Sequence, residues 1–182
     1  MVEAELARAA KLGCEIRYET AAVRLIQDKQ RRITGLEVNG PDGYDSVEAR
    51  AVVLACGGFE SNPEMRARYL GPGWDLARVR GTRHNMGDGI RMALDIGARP
   101  YGNWSGCHSV GWDISAPEYG DYEVLDNFQK HSYPWGVMIN ADGKRFVDEG
   151  YDFRNYTYAK YGRVILEQPK QMAWQVFDNK II

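Results

Sequence analysis

Hydrophobic positions along the chain change period several times, and each change marks an element. Over residues 3–12, Leu6, Ala9 and Ala10 stand among charged neighbours and Gly13 follows, which predicts a short helix with a glycine stop. Cys14, Ile16 and Tyr18 then alternate with Glu15, Arg17 and Glu19, the period of a strand. Val23 to Ile26 predicts a second strand, 28–32 a polar turn and Ile33 to Val38 a returning strand. Asn39-Gly40-Pro41-Asp42-Gly43 is a strong turn signal. Val47, Ala49 and Ala51 alternate again, after which Val52-Val53-Leu54-Ala55 runs continuously apolar. An alternating strand keeps one wet face, whereas a continuous apolar one is buried on both, as in a parallel sheet covered by helices. The expected order is therefore helix, strand, β-meander and a buried strand ending at Gly57-Gly58, an α/β arrangement.

After Phe59 the texture shifts. Asn62 to Leu70 predicts a short helix with Pro63 in its first turn, closed by Gly71-Pro72-Gly73. Gly87-Asp88-Gly89 opens a further helix whose apolar face is Ile90, Ala93 and Leu94, stopped by Gly97. Residues 101–135 are rich in aromatics and turn formers and carry little periodicity. Val137 to Ile139, the turn Ala141-Asp142-Gly143 and Arg145 to Val147 predict a hairpin; Asn155 to Glu167 predicts a helix and Ala173 to Phe177 a strand. The boundary falls near Leu70 to Val79, between sheet-rich material and an irregular α+β segment.

Composition narrows the function classes. The 182 residues are 44% hydrophobic and 26% charged, ordinary globular values, and the formal net charge of −2 with scattered Lys and Arg points away from nucleic acid. No apolar run reaches the roughly 20 residues that cross a bilayer, and the acidic start Met1-Val2-Glu3-Ala4-Glu5 is unlike a signal peptide. Cys14, Cys56 and Cys107 are odd in number and far apart, which fits a reducing, cytoplasmic setting. Three histidines and three cysteines show no ligand spacing, so no metal site is expected.

Two glycine turns stand out. Ala55-Cys56-Gly57-Gly58-Phe59 ends a buried apolar run in small residues, where a ligand can reach backbone unobstructed by a Cβ; a tight turn explains the same residues equally well. Gly87-Asp88-Gly89 places free N–H groups at a helix start, although Asp88 capping its own helix accounts for it too. No complete G-x-G-x-x-G occurs.

Ala55-Cys56-Gly57-Gly58-Phe59-Glu60, then Gly81-Thr82-Arg83-His84-Asn85-Met86-Gly87-Asp88-Gly89, then Gly143-Lys144-Arg145-Phe146-Val147-Asp148-Glu149 resemble, in order and spacing, the fumarate reductase/succinate dehydrogenase flavoprotein family. The stretch from Asp148 to Ala159 most resembles the tricarballylate dehydrogenases within it. The resemblance implies an internal fragment: a partial, Rossmann-like FAD-binding domain with a β-meander over 1–75, lacking the G-x-G-x-x-G segment, and an α+β capping domain that binds substrate over 76–182.

It also implies an oxidoreductase in which hydride passes between flavin and a carbon beside a carboxylate, with tricarballylate oxidation to cis-aconitate the leading reaction. Fumarate, urocanate or 3-ketosteroid chemistry, or an isolated piece without cofactor or turnover, are the alternatives. Arginine suits a carboxylate because its planar fork donates two parallel hydrogen bonds. The resemblance assigns the acid/base arginine to Arg154, one residue later than in soluble fumarate reductases, where Phe153 would stand; a surface ion pair with Asp152 or Glu149 is the plainer reading of Arg154. It assigns carboxylate binding to His108, with a structural histidine as the alternative. Lys130 and His131 fall near where the family keeps proton-relay or substrate residues, and His84 near flavin or substrate, although a structural role is the plainer reading of His84. FAD contacts would come from Val23, Ala55, Cys56, Gly57, Gly58, Asn85 and Asp88, with Cys56 packing rather than redox-active. Expected partners are a small carboxylate substrate and a separate membrane-linked electron-transfer protein.

Overall fold

In the computed structural model, which describes residues 2–181, the chain forms helices α1 (Val2–Lys11), α2 (Pro63–Leu70), α3 (Asp88–Asp95) and α4 (Arg154–Leu166). Its strands are β1 (Ala21–Gln27), β2 (Ile33–Gly40), β3 (Gly43–Glu48), β4 (Val137–Asn140) and β5 (Ala173–Val176). Two units emerge: Met1–Ala55 with Asp88–Arg99, and Cys56–Gly87 with Pro100–Ile182.

The first unit is built on an antiparallel meander in the order β1-β2-β3. The polar turn before β2 folds as its sequence asks: the Asp28 carboxylate accepts from the Gln30 and Arg32 N–H groups at 2.9 Å each. Arg32 also pairs with Asp28 through its side chain, and Arg31 takes φ 63°. β2 and β3 close tightly with Gly40 opposite Gly43, which sits at φ 97°. Helix α3 lies on β1: Arg91 donates to the Val23 carbonyl at 3.1 Å, and Arg31 to the Ile96 carbonyl at 3.3 Å. Leu25, Val38 and Met92 are its buried apolar residues. The centre of the α3 apolar face is Met92, 1% exposed, flanked by the expected Ile90, Ala93 and Leu94, which are partly buried.

Two expected strands of this unit do not form. Residues 14–17 are irregular and exposed; the run Val52-Val53-Leu54-Ala55 is irregular too, and exposed from Val53 on, where Val53 is 89% exposed. The side-chain pattern favours extension in both places, but a strand needs a hydrogen-bonded neighbour. Among the described residues nothing pairs with either run.

In the second unit α2 begins as predicted, with Pro63 at its start and the Asn62 side chain accepting from the Met65 N–H at 3.1 Å. Arg66, buried, spends its guanidinium on backbone: Nη1 donates to the carbonyls of Glu60 and Ala77, Nη2 to that of Asp75. Those bonds fasten the segment after α2 to its flank. The core gathers Tyr133, Met138 and Tyr161, with Phe146, Val147, Tyr158, Val164 and Ile165 packed around it. The expected hairpin over 137–147 is reduced to one bridge, Ile139 to Arg145, and the bond from Asn140 N–H to the Lys144 carbonyl at 2.9 Å, while the other edge of β4 pairs with β5. Helix α4 and strand β5 lie where periodicity sets them, and 101–135 is indeed irregular, with short 3-10 turns at Leu125–Phe128 and Tyr133–Trp135.

Candidate active site

Three segments of the second unit converge on the first turns of α4. The first is 105–110. Ser109 is spliced into α4: its N–H and Oγ–H donate to the Ala159 carbonyl at 2.7 and 3.1 Å, its carbonyl accepts from Gly162 N–H at 3.1 Å, and its Oγ accepts from Arg163 N–H at 3.0 Å. Ala159 O would ordinarily serve Arg163 within the helix, so Ser109 stands in for part of the α-helical ladder. Gly162 makes the approach possible, since a Cβ there would lie 2.6 Å from the Ser109 carbonyl carbon. This docking brings the His108 imidazole to 5.0 Å from the Tyr158 ring, centroid to centroid.

The second segment is 128–131. Lys130 N–H donates to the Gly111 carbonyl at 2.9 Å, its ammonium pairs with Asp113 at 2.7 Å, and Gln175 donates to its carbonyl at 3.0 Å. So strapped, the loop sets His131 against the other side chain contact of Tyr158, with centroids 4.8 Å apart. The third segment is the start of α4 itself, where Arg154 and Tyr158 lie four residues apart on one face. Tyr133 holds that start in place, its hydroxyl hydrogen-bonded to the Arg154 carbonyl at 3.2 Å and to Thr157 at 2.5 Å.

His131 Nε2 is buried and has no hydrogen-bond partner among the described residues. Burial lowers the His131 pKa below its ordinary value, and the charges of Arg154, His108 and Arg80 push it the same way against a small opposing pull from Asp126. The neutral imidazole is therefore favoured, under the influence of a cationic arginine, in a place where an incoming anion would satisfy Nε2 and balance Arg154. Arg154 itself is exposed and enters no ion pair among the described residues. Glu149 is instead taken by Arg145, at 2.8 and 2.5 Å, and accepts from the Met138 N–H at 2.5 Å.

The glycine turns of the second unit interlock. Gly57 takes φ 72°, and a Cβ on it would lie 2.7 Å from the Asn85 side-chain oxygen. Gly87 N–H donates to the Gly58 carbonyl at 3.0 Å, and Ser61 N–H to the Asn85 carbonyl at 2.9 Å. Glycine is required at 57 both by the left-handed backbone and by the crowding. The Cys56 and Gly57 backbone is irregular and exposed, so it can meet a ligand closely. That fits a nucleotide cofactor's need for Cβ-free backbone. Cys56 is exposed rather than packed, against expectation.

In the first unit Val23 lies within a register shift of β1 between Ala22 and Arg24. It borders a cleft of about 570 Å³ also lined by Arg24, Glu37, Arg91 and Ile96. Its carbonyl is engaged by Arg91, and Asp88 lies 3.7 Å from the same arginine. Ala55 is exposed on irregular backbone. His84 is exposed, with its N–H on the Thr82 hydroxyl at 3.2 Å. Among the described residues no cluster of His, Cys, Asp and Glu suits a metal ion. No helix among them is long and apolar enough to cross a membrane.

Sequence reasoning missed Tyr158, Ser109 and Gly162. Of these only Gly162 carried a signal, as an isolated glycine inside a helical pattern.

The profile described as FAD binding domain matches residues 1–180. A protein named "Probable fumarate reductase" from Shewanella frigidimarina (strain NCIMB 400) is 33% identical over 179 residues, covering 97% of this chain and 28% of its own length. A 3-oxosteroid 1-dehydrogenase of Mycobacterium tuberculosis (strain ATCC 25618 / H37Rv) is 30% identical over 135 residues, 72% of this chain and 23% of that protein. Among solved structures, the open conformation of a flavocytochrome c3 fumarate reductase superposes with a TM-score of 0.75 at 29% identity, covering 99% of this chain and 30% of that one. The chain thus spans under a third of the length of each of these three.

Proposed function

The chain belongs to the FAD-binding domain family of the fumarate reductase/succinate dehydrogenase flavoproteins, and from that premise we propose that it forms part of an oxidoreductase acting on a carbon–carbon bond beside a carboxylate. The observation that carries this reading is the convergence of Arg154, His108 and the unpartnered, buried Nε2 of His131. Three donors without anionic partners form a receptor for an anion with more than one carboxylate. FAD, when bound, supplies the two-electron acceptor or donor for hydride transfer.

In this proposal Arg154 grips one carboxylate with its guanidinium fork and carries the proton at Nη on the face opposite the hydride. His108 and His131 hold the remaining carboxylates. Gly57, Gly58 and Asn85, with Cys56, are the proposed FAD contacts of the second unit; Val23, Ala55 and Asp88 are those of the first. The assignment of 1–75 to flavin binding and 76–182 to capping and substrate binding belongs to the same proposal. So do a cytoplasmic location and electron exchange with a separate membrane-linked protein. Tricarballylate, going to cis-aconitate, is the substrate proposed first, on the likeness of Asp148 to Ala159 to that type of dehydrogenase. The 30% identity to a 3-oxosteroid 1-dehydrogenase supports a second reading, a cyclic ketone substrate.

An assay of the full-length, flavin-loaded protein with a dye acceptor or donor against tricarballylate, succinate and fumarate, and a 3-ketosteroid tests this. Turnover is expected on the polycarboxylates, and Arg154→Lys should lower it by at least about a hundredfold, the scale of a lost acid/base group, without loss of flavin. Activity confined to the ketosteroid would sink the carboxylate reading.

A further inference from the structure

Neither imidazole of the site is fixed in the usual way. A functional histidine ordinarily has its ring orientation set by a hydrogen bond from its second nitrogen to a carboxylate or carbonyl. Among the described residues, the His108 and His131 side chains make no such bond, and His131 Nε2 is buried without a partner. What both rings do touch is one side chain, Tyr158. His108 meets it edge-on at 68° and His131 tilted at 59°. Tilted and edge-on contacts of this kind have a preferred geometry, because the face of an aromatic ring is negative and its edge positive.

Tyr158 is well placed to hold them. It packs against the core of Tyr133, Met138 and Tyr161, so its ring has a rigid backing. It stands one helical turn after Arg154. Its own hydroxyl enters no hydrogen bond among the described residues, so the ring, not the hydroxyl, makes the contacts that matter. The segments bearing the two histidines reach it independently, one by the Ser109 splice into α4 and the other by the Lys130 strap.

We infer that Tyr158 is a positioning residue: its ring clamps His108 and His131 into one row beside Arg154, so that both imidazoles serve a single bound polycarboxylate. The inference rests on the carboxylate reading of the site. The groups that bear on His131 are Arg154, His108 and Arg80, which resist its protonation, and Asp126, which favours it. A bound polycarboxylate shifts that balance, so His131 takes up a proton as the ligand arrives.

The test uses the full-length, flavin-loaded protein with ¹⁵N-labelled histidine, citrate as the probe ligand, and the variants Tyr158→Phe and Tyr158→Leu. In the parent protein citrate should raise the His131 titration midpoint. Tyr158→Phe, which keeps the ring, should match it. Tyr158→Leu should weaken citrate binding by about tenfold, the scale of losing two aromatic contacts, and abolish the citrate-induced change at His131. With substrate, its KM should rise far more than its kcat falls. Should the leucine variant not fold, Tyr158→Met replaces it. Tyr158→Leu binding citrate like the parent overturns the inference, as does Tyr158→Phe behaving like Tyr158→Leu. If the parent binds neither citrate nor succinate while Tyr158→Leu still changes the His131 titration, the carboxylate reading fails and the clamp stands.

Discussion

Glu149 is 2% exposed yet charged, and its partners explain why. Burial raises the pKa of its carboxyl, but hydrogen bonds from the Arg145 side chain and the Met138 N–H outweigh that and hold it below the ordinary value. A lowered folded pKa means that Glu149 contributes stability above the unfolded carboxylate value of about 4.3, and that the contribution vanishes as pH falls through the folded value. Arg145 is half exposed, so solvent screens the pair. Glutamine can still accept from Met138. Glu149→Gln is therefore expected to cost about 1–2 kcal/mol at neutral pH. Thermal midpoints of parent and variant should draw together on acidification below about pH 4.3; a gap that stays constant across that range would refute the ion-pair account. Glu149 matters to the site because it ties the 143–149 turn, just before α4, onto β4. The sequence displayed the Gly143-to-Glu149 motif but not this burial, which depends on a Met138 N–H eleven residues away.

At the scale of elements, the departure that builds the site is the splice of Ser109 into α4. Helix propensity alone favours alanine over glycine by roughly 1 kcal/mol. At position 162 close packing opposes that gain, since the added methyl group would press on the backbone of Ser109 and Val110 at 2.6–2.8 Å. Overpacking against backbone costs about 1–3 kcal/mol. Gly162→Ala should thus destabilise the protein in urea titrations, and carboxylate binding should weaken because His108 moves away from Tyr158. A stabilised variant would show that the segment yields freely. Periodicity found α4, α2, β1 and β2 because caps, turns and apolar faces are encoded within a few residues. It over-predicted 14–19 and 52–55 because alternation and apolarity report what a strand's side chains prefer, not whether a neighbouring strand supplies its hydrogen bonds.

For the molecule as a whole, unpaired apolar surface is the consequence. Val53 and Leu54 lie exposed on irregular backbone in the first unit. In the second, Val137 faces Val176 and Ile139 faces Trp174 across β4 and β5, leaving Val137, Val176 and Trp174 exposed. Surfaces of this kind associate, and a formal charge of −2 opposes association little. The 182-residue chain expressed alone should show concentration-dependent association by light scattering, reduced by Val53→Lys. Monodisperse monomer at all concentrations would contradict this. By itself, the sequence determined the family and the turn and cap positions, which are properties of single residues and short spacings, and the family resemblance nominated Arg154 and His108. Tertiary structure alone decided that Arg145, not Arg154, takes Glu149, that β5 pairs with the second edge of β4, and that His131 and Tyr158 join His108. Each of those outcomes depends on contacts between residues distant in the chain, whose geometry no local pattern carries.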